Sequence, residues 1–439
     1  MFADRTCYKF DLITAAATHV GTGAFRELSR PGRNEPMQIA AIARDNEGRP
    51  WLPPTTLKGV LRRLAEDTGL AGDNGFLPLF GAIKDSRNPN AEGNMGLLLM
   101  RAGRATGKSP DWSMMPYASL IETGDAFVAA RTAIDGAIGV ADDHKLFFQE
   151  MLPAGAKFTA EAIVLRHGSG SAAAIDLMDR LMAIAMRDGL RVGKGQADGQ
   201  GALTIANVEV VDWTLTAAGD LDAAPQRTLT SAPSSVAMPA NVVDARKWRL
   251  SCEAPFLVAD SSVAMARDSH DPHREKKASG PQIRAQRVSE NLPLVLGSSI
   301  SGALRARATW LADRAVRRGE LAGKEDAVQK LFGAIEWRAL AEIRNLRVAH
   351  AEPFDITSLR IDRFSGGPVD NALFTTSAFV GVSASFDFVL VKRGGQPDGE
   401  ARKLFSLLCE DIVANGLMLG AGASKGFGWF KVVEAGDGA

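Results

Sequence analysis

The chain has 439 residues, too many for one ordinary hydrophobic core, and this length predicts two or three domains. Lys plus Arg equals Asp plus Glu at 51 each, so bulk charge attracts no polyanion, and such a partner must be met by cations gathered on one face. Cys7, Cys252 and Cys409 lie far apart without CxxC spacing, which excludes a disulfide framework or zinc module and fits a reducing cytoplasm. The charged start MFADRTCYKFD has no apolar signal core, and no uncharged apolar run reaches the ~18 residues of a membrane span. A cytoplasmic protein without membrane contact is expected.

In chain order, Tyr8 to Ala16 alternates as a strand does. Thr55 to Leu64 then has apolar residues at helical spacing, with the hydroxyls of Thr55 and Thr56 as capping candidates behind Pro53-Pro54. Leu79-Phe80-Gly81-Ala82-Ile83 follows, then a β-rich stretch from Phe158 to Leu165, a helix over Ala172–Arg187, a glycine-rich loop and a last strand.

That order then returns. Trp248 to Val258 reads as a strand, and Ser298-Ser299-Ile300-Ser301-Gly302-Ala303-Leu304-Arg305 as the first helix. LFGAI recurs unchanged at Leu331–Ile335, followed by a β-rich stretch from Ala384 to Val391 and a helix over Glu400–Asn415. Both glycine loops read G-L-x-x-G-x-G-x-x-x-G-x-G: Gly189, Gly193, Gly195, Gly199 and Gly201 in one, Gly416, Gly420, Gly422, Gly426 and Gly428 in the other. A repeat of this kind means a duplicated domain. Residues 214–246, rich in Ala, Ser, Thr and Pro, read as a linker between a first domain at 1–213 and a second at 247–439. The order β-α-β-β-α-β predicts an α+β chain of two tandem ferredoxin-like lobes, the arrangement of RNA-recognition modules. Long insertions at 20–50, 84–150, 259–297 and 354–380 carry function or move.

A dinucleotide site needs strand, glycine loop, then helix; here the loop follows a helix and precedes a strand, so that assignment fails. Two readings remain: a turn required for packing, or backbone N–H groups presented to phosphate oxygens, with Lys194 and Lys425 inside the loops. The duplication favours contact with an RNA strand. Lys58 and Arg62 share a face at a helix start, where free N–H groups also favour anions. Arg305 matches Arg62, whereas Ser301 stands in place of Lys58. Ile134-Asp135 and Ile361-Asp362 share an Ile-Asp turn, which residues alone read as a hairpin with a capping aspartate.

LPPTTLKGVLRRL, LFGAI, RTAID, KLFFQEMLPAGAKF and GKGQADGQGAL together resemble the RAMP superfamily of CRISPR effector subunits, nearest to the backbone subunits of type III complexes. GSSISGALRARA, LFGAI, RIDRFSGG and GAGASKGFGWF repeat the set. Two such lobes in one chain resemble the fused subunits of type III-D-like effectors. The resemblance implies that each lobe grips CRISPR guide RNA through its first helix and glycine loop. The RNA contacts are then Thr55, Thr56, Lys58, Arg62, Gly193, Lys194, Gly195 and Gly199 in lobe one. Lobe two supplies Ser298, Ser299, Arg305, Gly420, Gly422, Lys425 and Gly426. It further implies a thumb at Ile134, Asp135, Ile361 and Asp362 that wedges between bases of the paired target RNA, and other RAMP subunits as partners.

Some members of the family cleave target RNA with an aspartate in the loop after the first strand and Mg²⁺ or another divalent cation. A metal-held carboxylate suits that chemistry, because it stabilises charge on phosphate as a ribose 2′-OH attacks. Where the family shows Asp-x-Pro, lobe one has Asn34-Glu35-Pro36, with Asp45 closer to a turn position, so lobe one is expected to be weak or inactive. Lobe two offers Asp260, Asp268 and Asp271 as catalytic candidates, Asp268 and Asp271 also as metal ligands; solvated loop carboxylates are the other reading. His270 and His273 lack the further spaced ligands that a metal site needs. A non-catalytic tandem scaffold capping one end of the guide is the alternative function.

Overall fold

A computed structural model describes residues 4–28, 37–82, 94–106, 125–134, 141–232, 242–259, 283–289, 291–334, 338–392 and 399–435. The fold is mixed α+β, with two hydrophobic cores, one drawn from Tyr8 to Val210 and the other from Trp248 to Val432.

In the first lobe, β1 (Arg5–Thr14) alternates in burial, turning Tyr8, Phe10 and Leu12 toward the helices. β1 lies between β4 (Lys157–Leu165) and β5 (Ala202–Leu215), antiparallel to both. The short strands β2 (Leu98–Met100) and β3 (Gly103–Ala105) pair with the far side of β4. These edge strands fall inside 84–150, which the sequence had suggested was wholly an insertion. α1 (Pro54–Asp67) buries Leu57, Leu61 and Ala65, one face at four-residue intervals. α2 (Phe76–Phe80) ends on Gly81, and α3 (Ser171–Asp188) buries Leu177, Leu181 and Ala185 on the same core.

The second lobe repeats the strand order. β6 (Val242–Cys252) lies between β8 (Pro368–Val391) and β9 (Trp429–Glu434), with β7 (Ala341–Ile361) outside β8. α4 (Gly297–Arg317), α5 (Lys324–Phe332) and α6 (Gly399–Asn415) cover one face. The Phe388 ring stacks on Phe405 at 4.8 Å and on Trp248 at 5.3 Å. LFGAI serves one purpose twice: Leu79 and Leu331 are fully buried, and the glycine after the helix has φ near +85° (Gly81 +82°, Gly333 +87°), a helix stop that favours glycine.

The insertions take different forms. Gly21–Leu28, Met37–Ile42, Ala141–Met151 and Phe127–Ile134 form a separate four-stranded sheet in that order. Residues 354–380 instead prolong β7 and β8 into one long hairpin. Within 214–246, Leu221–Ala223 and Arg227–Thr228 fold back on β5. The lobes touch where Phe127, Ala129 and Met151 pack with Leu294 and Leu296. Nearby, the buried Glu342 carboxylate meets Arg344 at 2.8 Å and, across the lobe boundary, Arg191 at 3.3 Å. None of the described helices is long and apolar enough to cross a membrane.

Candidate nucleic-acid interface

The two glycine loops are built alike, and part of their glycine content is packing. In lobe one Val192 N donates to Gly201 O at 2.8 Å and Gly201 N to Ala17 O at 3.1 Å. In lobe two Leu419 N donates to Gly428 O and Gly428 N to Pro255 O, both at 2.9 Å. A Cβ on Gly201 or Gly428 would sit 1.9 Å from the carbonyl oxygen of Val192 or Leu419. Gly195 and Gly199, like Gly422 and Gly426, bracket a short 3-10 turn and lie in the left-handed region. The lysines are not equivalent: by loop register Lys194 matches Ala421, and Lys425 matches Asp198. Lys194 N is tied to His19 O at 3.0 Å with its side chain exposed, whereas the Lys425 ammonium lies 5.7 Å from the Phe374 ring.

Each first helix packs beside the start of its lobe's glycine loop. The expected hydroxyl caps do not form. Pro54 takes the first helical position, so Pro53 is the cap and Thr55 and Thr56 fall inside the first turn; Leu296 likewise caps α4 ahead of Gly297, Ser298 and Ser299. Neither cap makes a side-chain hydrogen bond, which leaves helix starts of the kind that favour anions. The α4 start also abuts the other lobe's loop: a Cβ on Gly297 would lie 1.7 Å from Asp198 O. Gly199 faces Ile343 O less closely, with a Cβ placed 3.2 Å from it, whereas Gly426 has open space around it. The first loop is therefore seated on lobe two, and the second is open.

The basic residues divide by environment. Lys58 Nζ donates to Leu98 O at 2.9 Å, tying α1 to the edge strand, and burial beside the Arg62 charge lowers its pKa from the ordinary lysine value. Arg62 bonds Glu66 at 3.3 Å and Gly81 O at 3.4 Å and lies over the Phe76 ring at 5.3 Å. Both thus brace lobe one as well as charging it. Arg305 is exposed, and its guanidinium has no hydrogen-bond or ion-pair partner among the described residues.

Ile361 and Asp362 sit at the tip of the β7–β8 hairpin. Asp362 Oδ1 accepts from Phe364 N at 3.0 Å, Ser365 N at 2.7 Å and Ser365 Oγ at 3.0 Å, bonds that hold its carboxyl below the usual carboxylate range. The capping role read for this aspartate is thus what the tip displays. Phe364 is 100% exposed and Ile361 61%, with Leu359, Phe354 and Leu373 also at the surface, an apolar finger that a solvated loop has no need of. In lobe one Ile134 pairs with Ala141 at the end of a hairpin; Asp135 lies outside the described residues.

A buried charge network in lobe one had no sequence signal, because its members lie far apart in the chain. Glu150, 3% exposed, accepts from Ile42 N at 3.0 Å and meets Arg26 at 3.4 Å. Arg44 grips Asp125 at 2.8 and 3.0 Å, a pairing that raises the guanidinium pKa against the opposing effect of burial. His19 Nδ1 lies 2.8 Å from Glu150 O, and the His19 carbonyl receives the glycine loop, so this network anchors the second sheet to that loop.

Asp260, Asp268 and Asp271 all lie outside the described residues, as do His270, His273, Asn34, Glu35 and Pro36. Asp45 is a turn residue: its carboxylate accepts from Glu47 N and Arg49 N at 2.9 Å. Among the described residues no group of three or more His, Cys, Asp or Glu is gathered for a metal.

A family model for the RAMP superfamily matches residues 9–97 and 190–431, the larger part of the chain. The chain belongs to the RAMP superfamily. That membership supports a CRISPR-associated, RNA-binding protein. The matched stretches of this RAMP protein contain the second glycine loop, the first from Leu190 onward, both first helices and the β7–β8 hairpin. None of the curated proteins matches the chain.

Proposed function

We propose that this chain is a guide-RNA-binding backbone subunit of a type III, III-D-like, CRISPR effector, working in the cytoplasm beside other RAMP subunits. The observation that carries the reading is the arrangement found twice: a glycine loop of left-handed turns beside an uncapped helix start, with the first loop seated on the second lobe's helix. The lobes are read as tandem ferredoxin-like domains, 1–213 and 247–439 around a linker at 214–246 whose two ends lie within β5 and β6; the strand orders β5-β1-β4-β2/β3 and β9-β6-β8-β7 support this. Guide phosphates would meet the helix starts, Arg305, Lys194 and Lys425, giving salt-sensitive binding. The apolar tip at Ile361 and Phe364 would wedge between bases of the paired target RNA.

Target cleavage is proposed for lobe two, with Asp268 and Asp271 as ligands of Mg²⁺ or another divalent cation and Asp260 as the further candidate. The second reading, a non-catalytic scaffold capping one end of the guide, is favoured by Asn34-Glu35-Pro36 standing where the family pattern has Asp-x-Pro. The guide-loaded complex distinguishes them. Loss of one target cut in Asp268→Ala/Asp271→Ala, with guide binding intact, supports a nuclease lobe. An unchanged cleavage pattern removes those two residues from catalysis.

A further inference from the structure

The outer face of the lobe-two sheet, away from the helices, differs from that of lobe one at matching register positions. On β6 the outward residues include Lys247, Arg249 and Ser251, and on β9 Trp429, Lys431 and Val433. Arg249 stands opposite Ser385 on one side and Val433 on the other; Ser251 stands between Ser383 and Lys431. Arg347 faces Ser385 from β7, so Arg347 and Arg249 flank one serine two strands apart, about 10 Å. The side chains of Arg249, Arg347 and Lys431 are exposed and have no ion-pair or hydrogen-bond partner among the described residues. Trp429 is 52% exposed, its indole laid against Gly416, where a Cβ would come within 3.1 Å of the ring.

In lobe one Asp11 occupies the place of Arg249, opposite Thr159 and Ala206, and accepts from Thr159 Oγ1 and Asn207 Nδ2, both at 2.9 Å. The loop register sets Ala202 against Trp429 and Thr204 against Lys431. The neighbouring pair is retained, Lys9 opposite Glu161 as Lys247 is opposite Asp387. The duplicated sheets thus share one charge pair, but lobe two has a cation in place of an acid and gains an aromatic and a lysine. The serines keep the floor low between them. The face begins beside Gly416, where the glycine loop opens, and reaches the roughly 840 Å³ cleft between the lobes, whose lining is mixed: Arg246 and Arg344 are paired there with Glu434 and Glu342, and Arg338 with Gln196.

We infer that this face is a single-stranded RNA platform, on which Trp429 stacks a base and Arg249, Lys431 and Arg347 meet phosphates. The cations select a polyanion, and a strand-borne aromatic among spaced cations suits unpaired bases rather than an acidic protein surface. The inference rests on the RNA-binding reading of the glycine loops and extends the strand's path from the second loop toward the cleft.

The test uses the full chain and a fluorescent single-stranded polyuridine, with affinity followed by anisotropy over a salt series. Trp429→Ala should weaken binding roughly 5- to 150-fold, the range for one lost stack. Trp429→Phe should retain most of the affinity. Arg249→Asp with Lys431→Thr, the lobe-one residues, should lower the log–log salt slope by about 1.4, two single-strand phosphate contacts. A loop variant, Lys194→Ala/Lys425→Ala, runs alongside. If it weakens binding while the face variants match wild type with normal melting, the platform is refuted and the loop reading stands. Equal loss in Trp429→Phe and Trp429→Ala at normal melting refutes stacking. If the face variants lose only a protein partner, the face is a protein-docking surface and the platform is overturned. If wild type binds no RNA, the loop reading and the platform fail together.

Discussion

Gly428→Ala separates packing from binding at the second glycine loop. Gly428 has φ +73°, and an added Cβ would lie 1.9 Å from the Leu419 carbonyl oxygen, a backbone atom that cannot swing aside. Holding alanine in the left-handed region costs roughly 1–2 kcal/mol. Relieving the clash disturbs two hydrogen bonds, Leu419 N to Gly428 O and Gly428 N to Pro255 O, each contributing roughly 0.5–1.5 kcal/mol. The expected loss is therefore about 2–5 kcal/mol, and at roughly 2–4 °C per kcal/mol for a lobe of this size the second-lobe transition falls by on the order of 10 °C. Gly426→Ala is the matched control: φ is +79° but nothing lies within 4 Å of its Cβ, so only the conformational cost applies. Calorimetry on both variants checks this. A Gly428→Ala transition no lower than that of Gly426→Ala would refute the packing argument.

Three further outcomes follow from side-chain geometry. Phe405→Ala removes a fully buried ring stacked 4.8 Å from Phe388 and should cost about 3–5 kcal/mol in urea unfolding of lobe two. Asp411 is gripped by Arg307 at 2.6 and 2.8 Å, which lowers its folded pKa. That stability exists above the unfolded pKa of about 3.9 and is lost as pH falls through the lower folded value. Asp411→Asn should thus cost about 1 kcal/mol near neutrality, with the difference from wild type closing in acid below about pH 4. Asp362→Ala removes the three acceptor contacts at the hairpin tip and should speed amide exchange at Phe364 and Ser365 while leaving global melting unchanged.

Much of this architecture was legible because duplication leaves its mark in glycines and short apolar phrases. The loops, first helices and LFGAI turns stand where the repeat placed them, since each glycine answers a local demand: positive φ at Gly81 and Gly333, close backbone approach at Gly201 and Gly428. Side-chain roles were less legible. Lys58 and Arg62 read as a cationic face, yet one reaches the Leu98 carbonyl and the other the Gly81 carbonyl, contacts set by tertiary packing. The second sheet of lobe one and the Glu150–Arg44–Asp125 network join residues from distant segments, which no spacing reveals. The contrast between Asp11 and Arg249 needed cross-strand register, because one residue of slip moves a side chain to the other face.

The most direct test of two RNA-gripping lobes is nuclease footprinting of guide RNA on the reconstituted protein, comparing wild type with Lys194→Glu and Lys425→Glu. Wild type should protect two adjoining segments, with Lys194→Glu exposing one and Lys425→Glu the other. A single footprint unchanged by either substitution, or no protection of RNA at all, would contradict the account.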